Sequence, residues 1–310
     1  VVPAPLTDTT RSLVVICGPT AVGKTAAAVE LASQLGGEIV CADSRTLYRG
    51  MDIGTAKPTA EQRRRVPHHL IDVADPDQPL TVATYRVLAL QAVEAIRRRG
   101  RVPLLVGGTG LYIRAVVDGW TIPAVPPDPA LRARLEEEER ARPGSLHARL
   151  RQVDPVAAAR THPHNVRRLV RALEVYAHTG RPISELQRAD PIGAAVQVGL
   201  TMDRAALYRR IEARVRDQLE CGLVEEVRTL LARGYDPRLP AMQGLGYKEI
   251  AAFLRGECSL EEAVARLVRN TRHYARRQWI WFRRDPRIRW LDVDDLAPAQ
   301  VADAIAAMLQ

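Results

Sequence analysis

Lysine is nearly absent from this 310-residue chain: of its 45 basic residues, only Lys24, Lys57 and Lys248 are lysines. Where arginine is the default cation, each retained lysine is a candidate for a position that a compact ammonium fills and a guanidinium fork does not. Cysteine is equally sparse. Cys17, Cys41, Cys221 and Cys258 form no C-x-x-C pair, so there is no sign of a disulfide framework, and a reducing cytoplasm is expected. No apolar stretch approaches the roughly 18 residues of a membrane span. Val1–Arg11 lacks the charged-then-apolar layout of an export signal, so neither membrane contact nor export is expected. His68-His69 and His162-Pro163-His164 have no cysteine or carboxylate at ligand spacing, which makes them loop histidines rather than a metal centre. The rest is ordinary for a globular protein: 46% hydrophobic, 26% charged, and long enough for about two domains.

The net charge of +9 is concentrated. Residues 266–289 carry nine arginines against one acid, Asp285. Such a stretch is the electrostatic footprint of a polyanion partner, with a solvated helix face as the alternative at the level of charge alone.

Residues 18–25 read Gly18-Pro19-Thr20-Ala21-Val22-Gly23-Lys24-Thr25, a complete G-x-x-x-x-G-K-[ST] phosphate loop. The loop follows the apolar run Leu13–Cys17 and opens the Ala-rich stretch Thr25–Leu35, the strand-loop-helix context that the motif requires. Its glycines let backbone amides turn inward around an anion, and the helix N-terminus adds the positive end of its dipole. Lys24 adds a full charge, and Thr25 a hydroxyl for Mg2+. Further apolar runs at 38–42 and 102–106 alternate with helical patterns at 25–35 and 84–99. This predicts an α/β fold with a mostly parallel sheet whose ligands sit at the C-terminal strand ends. Gly18, Asp43 and Gly107 all follow such ends, so three loops are expected to converge on one site.

The segment Pro123–Pro129 reads as a linker into an all-helical insertion, 123–190. Within it, Val166, Leu169, Val170, Leu173 and Ala177 share one helical face and Arg167, Arg168 and Arg171 another, with Asn165 as N-cap and Gly180-Arg181-Pro182 as the stop. Strand-like residues 194–200 return the chain to the sheet. Helices at 204–222, 224–234 and 260–282, a strand at 288–293 and a closing helix at 298–310 complete the reading. The core is thus a P-loop NTPase-like parallel sheet formed by 12–122 and 191–310.

From its place alone, Asp43 is either a general base or a water-mediated Mg2+ ligand. Thr109, after Gly107-Gly108, can donate a hydroxyl to a phosphate oxygen. Arg214 is one arginine among several on its helix. The segment Gln243-Gly244-Leu245-Gly246-Tyr247-Lys248 is either a tight turn or a close-approach surface with one stacking ring. Of Arg276, Arg277, Trp279 and Trp281, the arginines are expected as contacts and Trp281 as core.

Asp43–Pro58, Pro103–Tyr112, Arg168–Val175, Gly244–Lys248 and Arg276–Arg284, together with the phosphate loop, resemble the tRNA dimethylallyltransferase (tRNA isopentenyltransferase) family, in the family's order from about residue 13 to residue 284. The resemblance implies transfer of a dimethylallyl group from dimethylallyl diphosphate to the N6 amine of adenosine-37 in tRNAs reading codons that begin with U. It implies Asp43 as general base, oriented by Ser44, and Thr109 and Arg214 on the diphosphate with the phosphate loop and Mg2+. It also implies a tRNA anticodon stem-loop held by Asp43, Ser44, Arg45, Thr46, Thr109, Arg167, Arg168, Leu169, Val170, Arg171, the 243–248 segment, Arg276 and Arg277. Eukaryotic members carry an additional zinc finger beyond this region, so the bacterial form is expected. The alternatives are an adenylate isopentenyltransferase acting on free AMP or ADP, a phosphate-loop metabolite kinase, and a non-catalytic RNA-binding switch. A mononucleotide needs no basic helical arm, and a switch leaves Asp43 and Thr109 without a role. Nothing in the sequence requires a dimer, so a monomer is expected.

Overall fold

The computed structural model describes Ser12–Leu309 apart from Ile122, Ala124 and Arg188. The N-terminal segment read for an export signal, the linker residue Ala124 and the final Gln310 lie outside the described residues.

Among the described residues six strands form one sheet: β1 (Leu13–Cys17), β2 (Glu38–Cys41), β3 (His68–His69), β4 (Pro103–Gly107), β5 (Ala195–Thr201) and β6 (Ile288–Asp292). Their spatial order is β3-β2-β4-β1-β5-β6, and every neighbouring pair is parallel. Helices on both faces bury the central strands completely, which is why β1 and β4 read as unbroken apolar runs rather than alternating ones. Val14 and Ile16 pack on one side, against Leu31 of helix Lys24–Leu35 and Ile305 of the closing helix Pro298–Leu309. Leu13, Val15 and Cys17 pack on the other, against Tyr85, Val93 and Ile113. The register pairs Cys17 with both Gly107 and Gly199, and Cys41 with Val106. The carboxyl ends of β1, β2 and β4 are therefore level, and the loops that leave them meet.

The histidine pair corrects one expectation. His68 and His69 are not loop residues but the edge strand β3, with His69 Nε2 2.6 Å from Glu38 Oε2. Two residues are too few to leave an alternation in the sequence. Helix Tyr247–Leu254 was likewise not anticipated; its Tyr247 and Ile250 join a third apolar cluster with Val215, Val227 and Leu267 of the helices Arg204–Glu220, Leu223–Ala232 and Leu260–Phe282.

Asp118–Pro191 forms a compact unit of its own. Its ends meet through an antiparallel bridge between Trp120 and Ala189 and through the Asp190 N–H, which donates to Gly119 O at 3.2 Å. Helices Pro129–Ala141, Ser145–Val153 and Val166–Thr179 close over Leu135, Leu146, Leu150, Leu169 and Leu173. Asn165 caps the last of these by accepting from Arg168 N–H at 3.3 Å, and Gly180 ends it at φ 67°. Ala177, expected on the apolar face, is exposed because it lies in the final turn, beyond the core.

At the centre of this unit is a buried carboxylate. Glu174, 0% exposed, accepts from the Asp128 N–H at 2.8 Å, from Arg132 Nε at 2.7 Å and Nη2 at 2.8 Å, and from Arg171 Nη1 at 2.6 Å. Arg171 also donates to Pro123 O at 3.1 Å, so this guanidinium braces the unit rather than reaching outward, contrary to the expectation for it. Burial pulls the Glu174 carboxyl upward, but the donors from Arg132, Asp128 and Arg171 outweigh it and hold it at about 2. A depressed carboxyl contributes stability above its unfolded value, and that stability is lost as pH falls through the folded value. Glu174→Gln is expected to cost about 1–3 kcal/mol at neutral pH. The gap between variant and wild type in thermal unfolding should close as pH falls from about 4.5 toward 2; a gap independent of pH would contradict it.

Candidate active site

The phosphate loop leaves β1 at Gly18, whose φ of 139° and close approach to Leu200 O (2.5 Å from where a Cβ would stand) admit no side chain. The chain then enters helix Lys24–Leu35 through Gly23 with no side-chain cap, leaving its first backbone N–H groups for an anion. A cavity of about 270 Å³ opens there, walled by Lys24, Thr25, Asp43, Gly107, Gly108 and Arg214. The three strand-end loops do converge.

Charge in this cavity is unbalanced. Lys24 Nζ donates to Pro19 O at 2.6 Å, and Arg214 Nη1 to Thr20 Oγ1 at 3.1 Å. Burial and then the neighbouring Arg214 charge bring the Lys24 ammonium down to about 8, against the pull of Asp43. Burial lowers Arg214 too, against Asp43 and Asp217. Two half-buried cations share the cavity wall with one carboxylate, Asp43, an arrangement suited to a ligand with more than one negative charge.

Asp43 is oriented locally: Arg45 N–H donates to its Oδ1 at 2.8 Å. Thr109, expected on a phosphate oxygen, is engaged beside Asp43. Its Oγ1 accepts from Ser44 N–H at 3.1 Å, its N–H donates to Ala42 O at 3.1 Å, and its hydroxyl is hydrogen-bonded to Tyr274. Thr109 thus ties the loop after β4 to the loop after β2. Thr46 is buried on the cavity wall. Arg45 reaches away, donating through Nη1 to Pro240 O and to Ala241 O.

Several expected RNA contacts lie elsewhere than the sequence suggests. Tyr247 is wholly buried, its hydroxyl donating to Glu226 Oε1 at 2.6 Å, and cannot serve as a stacking ring. Gly244 and Gly246 are also buried, and Leu245 packs on the same cluster; Gln243 is exposed and Lys248 half-buried beside Glu249. Leu169 and Val170 face the core of their unit, because an i, i+3, i+4 pattern that buries Leu173 buries them as well. Arg167, Arg168, Arg276 and Arg277 are exposed. Trp281 is half-buried against the second apolar cluster.

Three residues that sequence reasoning passed over, or left unexplained, hold the site in shape. Lys57 Nζ is buried among Tyr48 O at 2.6 Å, Asp52 Oδ1 at 2.5 Å and Asp72 Oδ1 at 2.5 Å, which accounts for one of the rare lysines. Glu226 accepts from the N–H groups of Asp52, Ile53 and Gly54 at 2.9, 2.7 and 3.1 Å, pinning the loop that brings Thr55, Ala56 and Pro58 to the cavity. Gln278 spans two loops, accepting from Thr20 N–H at 2.8 Å and donating to Gly108 O at 2.8 Å. Its only sequence signal was its place among the arginines of 276–284.

Because Lys24 is held near 8, its charge is present below that pH and lost above it, and a bound anion raises its pKa. Inorganic pyrophosphate is expected to bind most tightly below about pH 8 and to weaken by up to about tenfold per pH unit above it. Calorimetry across that range should show the decline in wild type and not in Lys24→Met. Equal affinity on both sides of pH 8 would remove Lys24 from the anion site.

The chain matches the family described as IPP transferase over residues 46–285, and the one described as isopentenyl transferase over residues 11–73. It is similar to the tRNA dimethylallyltransferase of Desulforudis audaxviator, 57% identical over 287 residues that cover 91% of this chain and 92% of that one. The tRNA dimethylallyltransferase of Pelotomaculum thermopropionicum is 51% identical over 298 residues, 95% of each chain. Among solved structures, the full-length tRNA isopentenylpyrophosphate transferase of Bacillus halodurans superposes with a TM-score of 0.71 at 43% identity, covering 96% of this chain and 97% of that one. A eukaryotic dimethylallyltransferase acting on tRNA gives a TM-score of 0.76 at 28% identity, covering 96% of this chain and 77% of that one. Shared sequence over nearly the whole length, on a parallel sheet whose phosphate loop faces Asp43 across one cavity, places the chain in the IPP transferase family, that of the tRNA dimethylallyltransferases.

Proposed function

We propose that the protein transfers the dimethylallyl group of dimethylallyl diphosphate to the N6 amine of adenosine-37, in the anticodon stem-loop of tRNAs reading codons that begin with U. The observation that carries this reading is the cavity in which two half-buried cations and a phosphate loop oppose one oriented carboxylate. The exocyclic amine is a poor nucleophile, since its lone pair is delocalised into the ring. As the N6–C bond forms at the allylic carbon, the C–O bond to diphosphate breaks and its electron pair leaves with the diphosphate. The N6 proton passes to Asp43, whose plane the Arg45 N–H fixes. Lys24, Arg214 and the amides at the start of helix Lys24–Leu35 neutralise the charge that grows on the leaving group. The Thr25 hydroxyl and the Asp43 carboxylate are hard oxygen donors on the same wall, a set that suits Mg2+. Thr25 would hold the ion against the diphosphate, where it would add to that neutralisation.

For the RNA, the exposed Arg276 and Arg277 on helix Leu260–Phe282 and Arg167 and Arg168 on helix Val166–Thr179 are the proposed phosphate contacts. Residues 123–190 are proposed as the RNA-binding domain, which a free mononucleotide would not need. No helix among the described residues is long and apolar enough to cross a membrane, and a monomer working in the cytoplasm is the proposed setting.

Asp43→Ala is expected to lower the single-turnover rate by about 10²–10⁴ while stem-loop affinity stays within about threefold. A large loss of RNA affinity would instead make Asp43 a recognition residue. Arg167→Ala combined with Arg168→Ala should weaken RNA binding and reduce the magnitude of its log–log salt slope by about one to two. An unchanged slope would locate the contact surface elsewhere.

A further inference from the structure

Gln278 is far in sequence from the loops of the cavity, yet its side chain is bonded to both the phosphate loop and the loop after β4. It sits on helix Leu260–Phe282 and is 6% exposed. Its amide orientation is forced by chemistry: Thr20 N–H can only donate and Gly108 O can only accept, so Oε1 faces the first and Nε2 the second, each at 2.8 Å. The fit leaves no slack, since a Cβ at Gly108 would stand 2.2 Å from Nε2. From Gly108 the chain continues to Thr109, whose Oγ1 accepts from Ser44 N–H beside Asp43. On the other side, Thr20 receives Arg214 Nη1 on its hydroxyl.

One continuous path therefore runs from Arg214 through Thr20, Gln278, Gly108 and Thr109 to Ser44 and Asp43. We propose that Gln278 is a positioning residue that sets the separation between the leaving-group side of the cavity and the carboxylate side. The inference rests on the reading of the cavity as the diphosphate and adenosine site. Its physical basis is that in-line displacement demands near-attack geometry, and misplacement of about 1 Å costs on the order of 10²-fold in rate. The same helix turns Arg276 and Arg277 outward between the buried Ala275 and Gln278. Its inner face thus holds the loops while its outer face offers charge to RNA.

Two variants test this. Gln278→Met keeps the volume and removes both hydrogen bonds. Gln278→Glu keeps the acceptor, and regains a donor for Gly108 O only when the new carboxyl is protonated. With both substrates saturating, the single-turnover rate of Gln278→Met is expected to fall roughly 10- to 100-fold, with stem-loop affinity unchanged. Gln278→Glu should be as slow at about pH 8 and should recover relative to wild type as pH falls to about 5. Far-UV circular dichroism and unfolding temperature confirm that both variants are folded. A Gln278→Met rate equal to wild type, or a Gln278→Glu to wild-type ratio that does not change with pH, overturns the proposal. Wild type run in parallel separates the two levels: failure of wild type to transfer would sink the functional reading itself, whereas active wild type with indifferent variants sinks this inference alone.

Discussion

Uncompensated positive charge is the constraint around which the core is arranged. Lys24 and Arg214 are half-buried on one cavity wall, where loss of hydration disfavours both charges against the pull of Asp43 and, for Arg214, Asp217. Such a cluster favours a polyanion that completes it and needs surroundings that hold the cations in place. The parallel sheet supplies the rigidity, because level carboxyl ends of β1, β2 and β4 put three loops at the same height. Several side chains around these loops act as braces. Thr109 ties the loop after β4 to the one after β2, Gln278 ties it to the phosphate loop, and Glu226 and Lys57 pin the segment after Asp43.

The two faces of helix Leu260–Phe282 show how one element serves two purposes. Ala263, Leu267, Ala275 and Phe282 are buried, Gln278 is hydrogen-bonded inward, and Arg276 and Arg277 are exposed. The compact unit Asp118–Pro191 divides its arginines in the same way. Arg132 and Arg171 are bound to the buried Glu174, whereas Arg167 and Arg168 on the same helix as Arg171 are exposed. Charge counting alone assigns all of them to RNA. The presence of a buried carboxylate three residues along the helix is what separates a brace from a contact.

Much of this was legible in the sequence. The phosphate loop announced its own strand and helix, because the motif fixes both flanks, and the helix at about 260–282 was legible from its apolar spacing. What escaped were features set by distant partners. β3 is two residues long and exists only by pairing with β2. Tyr247 looked like a free ring because nothing local shows that Glu226 and Gly54 close over it. Leu169 and Val170 were carried along with the arginines beside them, although their own periodicity marks them as core. Gln278 meets Thr20 across 258 positions of sequence, a contact that no local pattern encodes.

The central claim is that one cavity joins an allylic diphosphate to an RNA adenosine, with Asp43 as base. Its most direct test incubates the protein and Mg2+ with radiolabelled dimethylallyl diphosphate and an unmodified anticodon stem-loop, beside AMP and ATP controls. The account predicts label on the stem-loop, lost when the target adenosine is replaced. Label on AMP alone, or ATP hydrolysis with no label transferred, would contradict it.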